Sequence, residues 1–223
     1  MIAREQINKA LEDVLLRLEK SKTTVPRFRW NVTHQGAVAV LEKAYQCEVE
    51  KRGRTYAKSD ELNSIIAHLA AFVTNPGYKF GAVLCGTYGN GKTTLLYALQ
   101  QATNHLADMG VCPAHMGIQI IDAVELAFLS KDYTKFKTKR DYPVLGIEDM
   151  GREPMQVMDY GNRLSPIIEL LEYRYAHQLP TFITTNLAPR DIGKEYDERI
   201  ASRFRETMEI IEFPDLAYRG KKN

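Results

Sequence analysis

The first third of the chain places apolar and charged residues with a helical period. Residues 3–20, 36–52 and 60–73 each carry apolar side chains three or four positions apart with charged residues among them. This periodicity predicts three amphipathic helices. Two arginines alternate with two aromatic residues at positions 27–30. These side chains either stack on nucleic-acid bases or a partner, or pack the helical segment, and the sequence leaves both interpretations open.

From residue 80 onward, short apolar runs alternate with longer amphipathic segments. The runs that read as buried strands are 80–85, 118–121, 144–147, 182–185 and 208–213. Helices are predicted among them, including 159–177 and 196–205. This order predicts an α/β fold with a parallel sheet flanked by helices. We therefore divide the chain into a helical N-terminal segment, residues 1–59, and an α/β domain, residues 60–223.

A glycine-rich turn joins the first predicted strand to the next helix. It contains the phosphate-binding pattern G-x-x-x-x-G-K-[ST] and consists of Gly86, Thr87, Tyr88, Gly89, Asn90, Gly91, Lys92, Thr93 and Thr94. Such a turn points backbone N–H groups at phosphate oxygens from a helix N-terminus. Lys92 would reach the β- and γ-phosphates, and the Thr93 hydroxyl would hold Mg²⁺. The sequence therefore predicts a P-loop site for a nucleoside triphosphate.

Two later strands end in polar side chains that suit the same chemistry. Glu148 and Asp149 follow one apolar run, and Asn186 follows another. Ligands of open parallel sheets lie at the carboxyl ends of the strands. One carboxylate would hold Mg²⁺, the other would orient the attacking water, and Asn186 would hold that water near the γ-phosphate. We expect the glycine turn and the acidic pair to lie at the tips of neighbouring strands.

A basic run lies between the second and third predicted strands. Its cations and rings are Lys131, Tyr133, Lys135, Phe136, Lys137, Lys139 and Arg140. Lysines interleaved with aromatic rings suit a phosphate backbone whose bases stack on the rings. The run is therefore a candidate contact for single-stranded DNA, and a solvated helix face is the alternative.

Composition narrows the class of protein. The 223 residues carry a formal net charge of +2 and are 44% hydrophobic, values typical of a globular protein with one full α/β domain and an appendage. We see no membrane span or signal peptide. Cys47, Cys85 and Cys112 are too few and too scattered for a disulfide framework or a zinc site. We therefore expect a cytoplasmic protein that makes no membrane contact.

Six segments together resemble the AAA+ ATPases of the DnaC helicase-loader and IstB type. They are GTYGNGKTT at 86–94, VLGIEDMG at 144–151, DYGN at 159–162, EYRY at 172–175, TFITTNL at 181–187 and YDERIASRF at 196–204. Many families share the first segment, so its combination with the strand ending in Asn186 and with the last segment carries the resemblance. The similarity covers residues 80–219, and no motif is recognisable before residue 60.

The resemblance implies a role for each matching residue. Residues 86–94 would form the Walker A motif that binds ATP. Glu148, at the Mg²⁺ position, and Asp149 would form the Walker B pair, and Asn186 would be sensor 1. Arg219 matches a terminal arginine of DnaC-like proteins and is assigned to the ATP site.

The resemblance also implies self-association. Arg203 lies where the family keeps its arginine finger, a residue that enters the ATP site of the neighbouring subunit. Arginine supplied in this way stabilises charge on the γ-phosphoryl group in the transition state. The sequence gives Arg203 no target within its own subunit. Arg199, one turn earlier, would share the interface or pair with Glu195.

Two features depart from the usual AAA+ pattern. Glu148 stands where the family usually has Asp, so the longer side chain is at the Mg²⁺ position and the shorter Asp149 is at the water position. We therefore expect slow hydrolysis. After residue 213 the sequence is too short for the helical lid of a typical AAA+ protein. The DnaC and IstB relatives are also short there.

The resemblance implies an ATPase that loads a replicative helicase in DNA replication. It would bind single-stranded DNA, and its N-terminal segment would bind the helicase. An IstB-like transposition helper that binds duplex DNA and a transposase is the alternative with the same fold. Two further alternatives belong to other functional classes. One is a small-molecule kinase, for which we see neither an acceptor pocket nor a basic lid. The other is a nucleotide-gated binding module that scarcely hydrolyses ATP.

Overall fold

The computed structural model describes residues 4–20, 27–159 and 161–214. The helices are α1 (Arg4–Lys20), α2 (His34–Glu50), α3 (Asp60–Thr74), α4 (Lys92–Asp108), α5 (Ala123–Leu129), α6 (Tyr133–Arg140), α7 (Pro166–Ala176), α8 (Ile192–Glu195) and α9 (Glu198–Thr207). The strands are β1 (Gly81–Cys85), β2 (Ile118–Asp122), β3 (Val144–Met150), β4 (Val157–Asp159), β5 (Asn162–Leu164), β6 (Thr181–Thr185) and β7 (Met208–Glu212).

Five strands form one parallel sheet in the order β2-β3-β6-β1-β7. Alternate residues of a strand point to opposite faces, so Ala82 and Leu84 of β1 pack with α2, α3 and α4. Val83 and Cys85 of the same strand pack with α5, α7 and α9 on the other face. The predicted α/β fold with a parallel sheet flanked by helices is confirmed.

The strand order corrects one expectation from the sequence. β6 lies between β1 and β3 and pairs with both. The glycine turn follows β1 and the acidic pair lies near the end of β3, so β6 separates the two strands that carry them. Asn186, at the end of β6, therefore lies between them at the carboxyl edge of the sheet.

The stretch at residues 27–30 packs into the core. Phe28 and Trp30 are 1% and 0% exposed. The Phe28 ring lies edge-on to Phe182 of β6, with ring centroids 4.9 Å apart, and Trp30 Nε1 donates to Thr103 Oγ1 of α4 at 3.2 Å. The packing interpretation of these aromatic residues is therefore confirmed. Residues of α2 and α3 belong to the same hydrophobic core as β1 and α4.

Helix α1 differs from the other N-terminal helices because its apolar side chains lie exposed. Leu11, Val14, Leu15, Leu16 and Leu18 are each at least half exposed, and Leu15 reaches 66%. The predicted amphipathic helix is confirmed over Arg4–Lys20. Among the described residues, no helix combines the length and the apolar character needed to cross a membrane.

The predicted helix at 159–177 is wrong in its first part. Strands β4 (Val157–Asp159) and β5 (Asn162–Leu164) pair as an antiparallel hairpin, and α7 begins only at Pro166. The hairpin turn includes Gly161 with φ of +86°, a conformation that glycine adopts without a steric penalty. Proline is favoured at the first position of a helix because the N–H group that it lacks has no helical partner there.

Candidate nucleotide-binding site

The glycine turn connects the buried strand β1 to the first residue of α4. Gly91 caps that helix with φ of 97°, and Gly86 has φ of 143°. A Cβ atom on Gly86 would lie 2.6 Å from Asn90 Nδ2 and 2.8 Å from the Phe213 carbonyl oxygen. Both positions therefore require glycine. The turn leads directly into the N-terminal N–H groups of α4, which form a natural site for phosphate.

Lys92 is the central cation of this turn. It is 4% exposed, and its Nζ donates to the carbonyl oxygens of Gly86 at 2.7 Å and Thr87 at 2.6 Å. Nζ also lies 3.0 Å from Asn90 Oδ1 and 3.0 Å from Asn186 Oδ1. The three N–H groups of the ammonium are thus shared among four oxygens. The structure therefore brings Lys92 and Asn186 together, although they are 94 residues apart in the sequence.

Asn90 supports the interpretation of the turn as an incomplete binding site. Its side chain is 1% exposed, and its Nδ2 has no hydrogen-bond partner among the described residues. A buried amide left in this state costs free energy. The Asn90 amide is therefore available to donate to an additional acceptor at the turn, such as a phosphate oxygen.

Asp149 lies at an irregularity in β3. Ile147 pairs with Ile183 and Met150 pairs with Thr185, so β3 has one residue more than β6 over this stretch. Asp149 takes φ of 56°, and its N–H donates to Thr184 Oγ1 at 2.9 Å. Such bulges redirect side chains near functional sites. Here the Asp149 carboxylate forms an ion pair with Arg152 at 2.9 Å.

Glu148 faces helix α4. Gly146, two residues earlier and therefore on the same face of β3, has no side chain, and a Cβ atom there would lie 3.5 Å from Leu96 Cδ1 of α4. This close approach brings Tyr97 to the end of the strand, where its hydroxyl donates to Glu148 Oε2 at 2.9 Å. Burial, and next the hydrogen bond with Glu148, raise the pKa of Tyr97 to about 12, so the hydroxyl remains a donor at neutral pH.

The oxygen groups near the turn suit Mg²⁺. Thr93 is in the first turn of α4, and Glu148 points toward that helix from β3. A hydroxyl and a carboxylate are ligands that Mg²⁺ accepts, usually together with substrate phosphates and water. The described residues contain no group of three or more histidine, cysteine or acidic side chains that would form a complete metal site. The donor set therefore fits a metal that arrives with a nucleotide.

Helix α9 carries the arginines assigned to a subunit interface. Arg203 Nη1 lies 3.3 Å from Glu172 Oε1, and its guanidinium lies 4.5 Å from the centroid of the Tyr175 ring. The expectation that Arg203 has no target in its own subunit is therefore wrong. Arg199 also pairs with Glu172, so its suggested pairing with Glu195 is wrong as well. Glu172 and Tyr175 both belong to α7, which packs beside α9.

The basic run forms helix α6 and its N-terminal approach. Tyr133 is 63% exposed, whereas Phe136 is 2% exposed and belongs to the core. The Arg140 guanidinium lies 3.7 Å from the centroid of the Tyr173 ring. One of the two predicted stacking rings is therefore accessible and the other is not. Arg219 lies outside the described residues.

Two contacts at the site were not predicted from the sequence. They are the hydrogen bonds of Tyr97 to Glu148 and of Asp149 to Thr184. Both join elements that are distant in the sequence, and the motifs that contain Glu148, Asp149 and Thr184 do not specify these partners. The one signal in the sequence was the position of Tyr97. It lies early in the helix that follows the phosphate-binding pattern, and therefore near the edge of the sheet where that helix begins.

Comparisons with known proteins extend these observations. No protein-family model matches the sequence, and the comparison with curated proteins found no match. Among solved structures, a DnaC helicase loader is similar with 25% identity and a TM-score of 0.58, over 77% of this chain and 99% of that one. DnaI is similar with 23% identity and a TM-score of 0.55, over 77% of this chain and 93% of that one.

The DnaI likeness supports the fold, and the DnaC likeness spans almost the whole of that loader structure. Both agree with the α/β fold and the parallel sheet of this chain. The resemblance to DnaC-type AAA+ ATPases that the sequence motifs indicate is therefore confirmed by the structure of the chain.

Proposed function

We propose that this chain is a DnaC-like helicase loader that binds and hydrolyses ATP in DNA replication. The observation that carries the proposal is the meeting of Lys92 and Asn186 at the glycine turn, with Nζ and Oδ1 3.0 Å apart, in a fold similar to a helicase loader. A lysine and a polar strand tip at a helix N-terminus can hold a γ-phosphate and an attacking water. A small-molecule kinase would not explain the similarity to a helicase loader.

Each residue of the site has a role in this proposal. The N–H groups of residues 86–94 would bind the phosphates, and Lys92 would neutralise their charge. Thr93 and Glu148 would hold Mg²⁺, which supplies further positive charge at the β- and γ-phosphates. Asn186 would orient the attacking water. Asp149 would accept its proton once the carboxylate is free of Arg152, and this ion pair supports the expectation of slow hydrolysis.

We assign partner contacts to two surfaces. Helix α6 presents lysines beside the exposed ring of Tyr133, which suits single-stranded DNA, since cations follow the backbone while rings stack on bases. The N-terminal segment, residues 1–59, would bind the replicative helicase. Within the described part of this segment, helix α1 exposes a large apolar surface, and such surfaces often bind other proteins.

A direct experiment measures ATPase activity without DNA, with single-stranded DNA and with duplex DNA. The mass of the protein is measured in parallel with a slowly hydrolysed ATP analogue. We expect phosphate release that single-stranded DNA changes, and a larger assembly when the analogue is bound. Stimulation by duplex DNA alone would favour the IstB-like alternative. Transfer of phosphate to a small molecule would favour a kinase, and binding without hydrolysis would favour a nucleotide-gated module.

Replacing Arg203 with alanine tests self-association through ATP interfaces. If Arg203 acts on the ATP site of a neighbouring subunit, it must exchange Glu172 for the γ-phosphate on assembly. We then expect Arg203→Ala to slow hydrolysis about tenfold or more at saturating ATP, with ATP affinity little changed. Phosphate release and nucleotide binding measured on the same preparation check this result. A variant that hydrolyses ATP at the wild-type rate would contradict the assignment.

A further inference from the structure

Glu148 requires a second group to fix its carboxylate. A glutamate has one more rotatable bond than the aspartate usual at this position, so ordering its side chain costs more conformational entropy. Carboxylates that bind metals are commonly held in place by a hydrogen bond from an outer residue. Such a donor occupies one oxygen and leaves the other available to the metal.

The structure contains a donor in the required position. Tyr97 Oη donates to Glu148 Oε2 at 2.9 Å, across the contact where Gly146 lets α4 approach β3. Tyr97 is on the same helix as Thr93, the other oxygen group assigned to the metal. The hydroxyl therefore ties the end of β3 to the helix that begins at the phosphate-binding turn.

Tyr97 is itself held by the turn that follows α2. The Arg52 guanidinium lies 5.8 Å from the centroid of the Tyr97 ring, within the range of a cation–π contact. Arg52 Nη1 donates to the Glu48 carbonyl oxygen at 2.6 Å and to Glu48 Oε2 at 2.8 Å, and Glu48 is 4% exposed. These contacts fix the guanidinium and hence one side of the ring.

We propose that Tyr97 is a positioning residue for Glu148 and that it sets the affinity of the nucleotide site for Mg²⁺. This inference rests on the proposed ATP-binding function. Tyr97 contacts neither nucleotide nor metal in this role, and it acts through the orientation of the Glu148 carboxylate. Arg52 supports the orientation of Tyr97 from the turn that follows α2.

Titration with Mg²⁺ in the presence of a fluorescent ATP analogue tests the proposal. Binding is followed by anisotropy, so the readout does not depend on hydrolysis. Tyr97→Phe keeps the ring and removes only the hydroxyl. We expect the Mg²⁺ concentration for half-maximal binding to rise about tenfold, within the range known for outer-shell residues. Binding in the presence of EDTA should equal that of the wild type.

Tyr56→Phe provides the matched control, because Tyr56 also donates to a carboxylate, that of Glu42, at 3.2 Å. It should leave the Mg²⁺ titration unchanged. In a Glu148→Gln background, Tyr97→Phe should raise the half-saturating Mg²⁺ concentration little further, because both changes remove the same interaction. Thermal unfolding of each variant without nucleotide verifies that it is folded.

The outcomes separate this inference from the function on which it rests. A wild-type protein that does not bind the ATP analogue would overturn the proposed function. If the wild type binds with Mg²⁺ and Tyr97→Phe gives the same half-saturation, only the inference is overturned. The inference is also overturned if Tyr97→Phe raises the half-saturating Mg²⁺ concentration by the same factor in the wild-type and Glu148→Gln backgrounds. Tyr97 would then act independently of Glu148.

Discussion

Replacing Lys92 with methionine is expected to lower the affinity for ATP about 100-fold, because charge-assisted bonds to phosphate are among the strongest polar contacts in proteins. Methionine keeps most of the aliphatic stem and removes the ammonium that three oxygens of the turn and Asn186 Oδ1 now surround. The measurement is thermal unfolding with and without ATP and Mg²⁺. A ligand that binds only the folded state stabilises it by RT ln(1 + L/Kd), where L is the free ligand concentration, so at a fixed ligand concentration the unfolding temperature rises more when binding is tighter. Wild type should therefore gain stability with ATP, and Lys92→Met should gain almost none.

A surface lysine provides the control for this experiment. Lys194 has a 78% exposed side chain and pairs with Asp191 at 2.7 Å. Lys194→Met should retain the full increase in unfolding temperature with ATP. Comparison of both variants without ATP separates loss of binding from a weakened fold. An undiminished ATP effect in Lys92→Met would show that the glycine turn is not the nucleotide site.

Replacing Arg174 with methionine is expected to lower the free energy of unfolding by about 3–5 kcal/mol. Arg174 is 1% exposed and donates to Thr181 Oγ1 and to the carbonyl oxygens of Arg140, Tyr142 and Pro180 at 2.6–2.8 Å. These acceptors precede or begin β3 and β6, so the guanidinium joins the starts of two central strands to α7. Burial lowers the pKa of Arg174 to about 9, which still leaves it charged at neutral pH. Methionine would leave several buried acceptors unpaired.

Chemical denaturation of the folded chain measures this change, with Arg190→Met as the matched control. The Arg190 side chain is 87% exposed, and its ion-pair distance to Asp191 is 4.0 Å. Exposed arginines of this kind usually contribute less than about 0.5 kcal/mol. If Arg174→Met lowers the free energy of unfolding no more than the control does, other donors must pair with the buried carbonyl oxygens.

The parts of the fold that were predictable are those with a local signature. The β1–turn–α4 unit follows from a buried run, a glycine pattern and a helical period within 30 residues of one another. The β4–β5 hairpin was missed because each strand has only three residues, too short for an alternation of apolar and polar positions. Asp159, interpreted as the start of a helix, is instead the last residue of β4.

Contacts of the site that depend on pairing across the sheet were not predictable. Apolar runs indicate strands but not their neighbours, so the insertion of β6 between β1 and β3 appears only in the structure. The pairing of Arg203 with Glu172 likewise depends on the packing of α9 against α7. The sequence indicates that Glu148 and Asp149 lie near a strand end. It does not indicate the bulge that points the two side chains in different directions.

The burial of Phe28 and Trp30 determines where the polypeptide tolerates truncation. A fragment that starts at residue 60 would lack both aromatic side chains and helix α2, and the surfaces of β6 and α4 that they cover would face water. Such a fragment would precipitate more readily than the intact chain, since large uncovered apolar areas favour aggregation. A fragment that starts at residue 27 keeps this covering, so it is the smaller unit suited to isolated study of the nucleotide site.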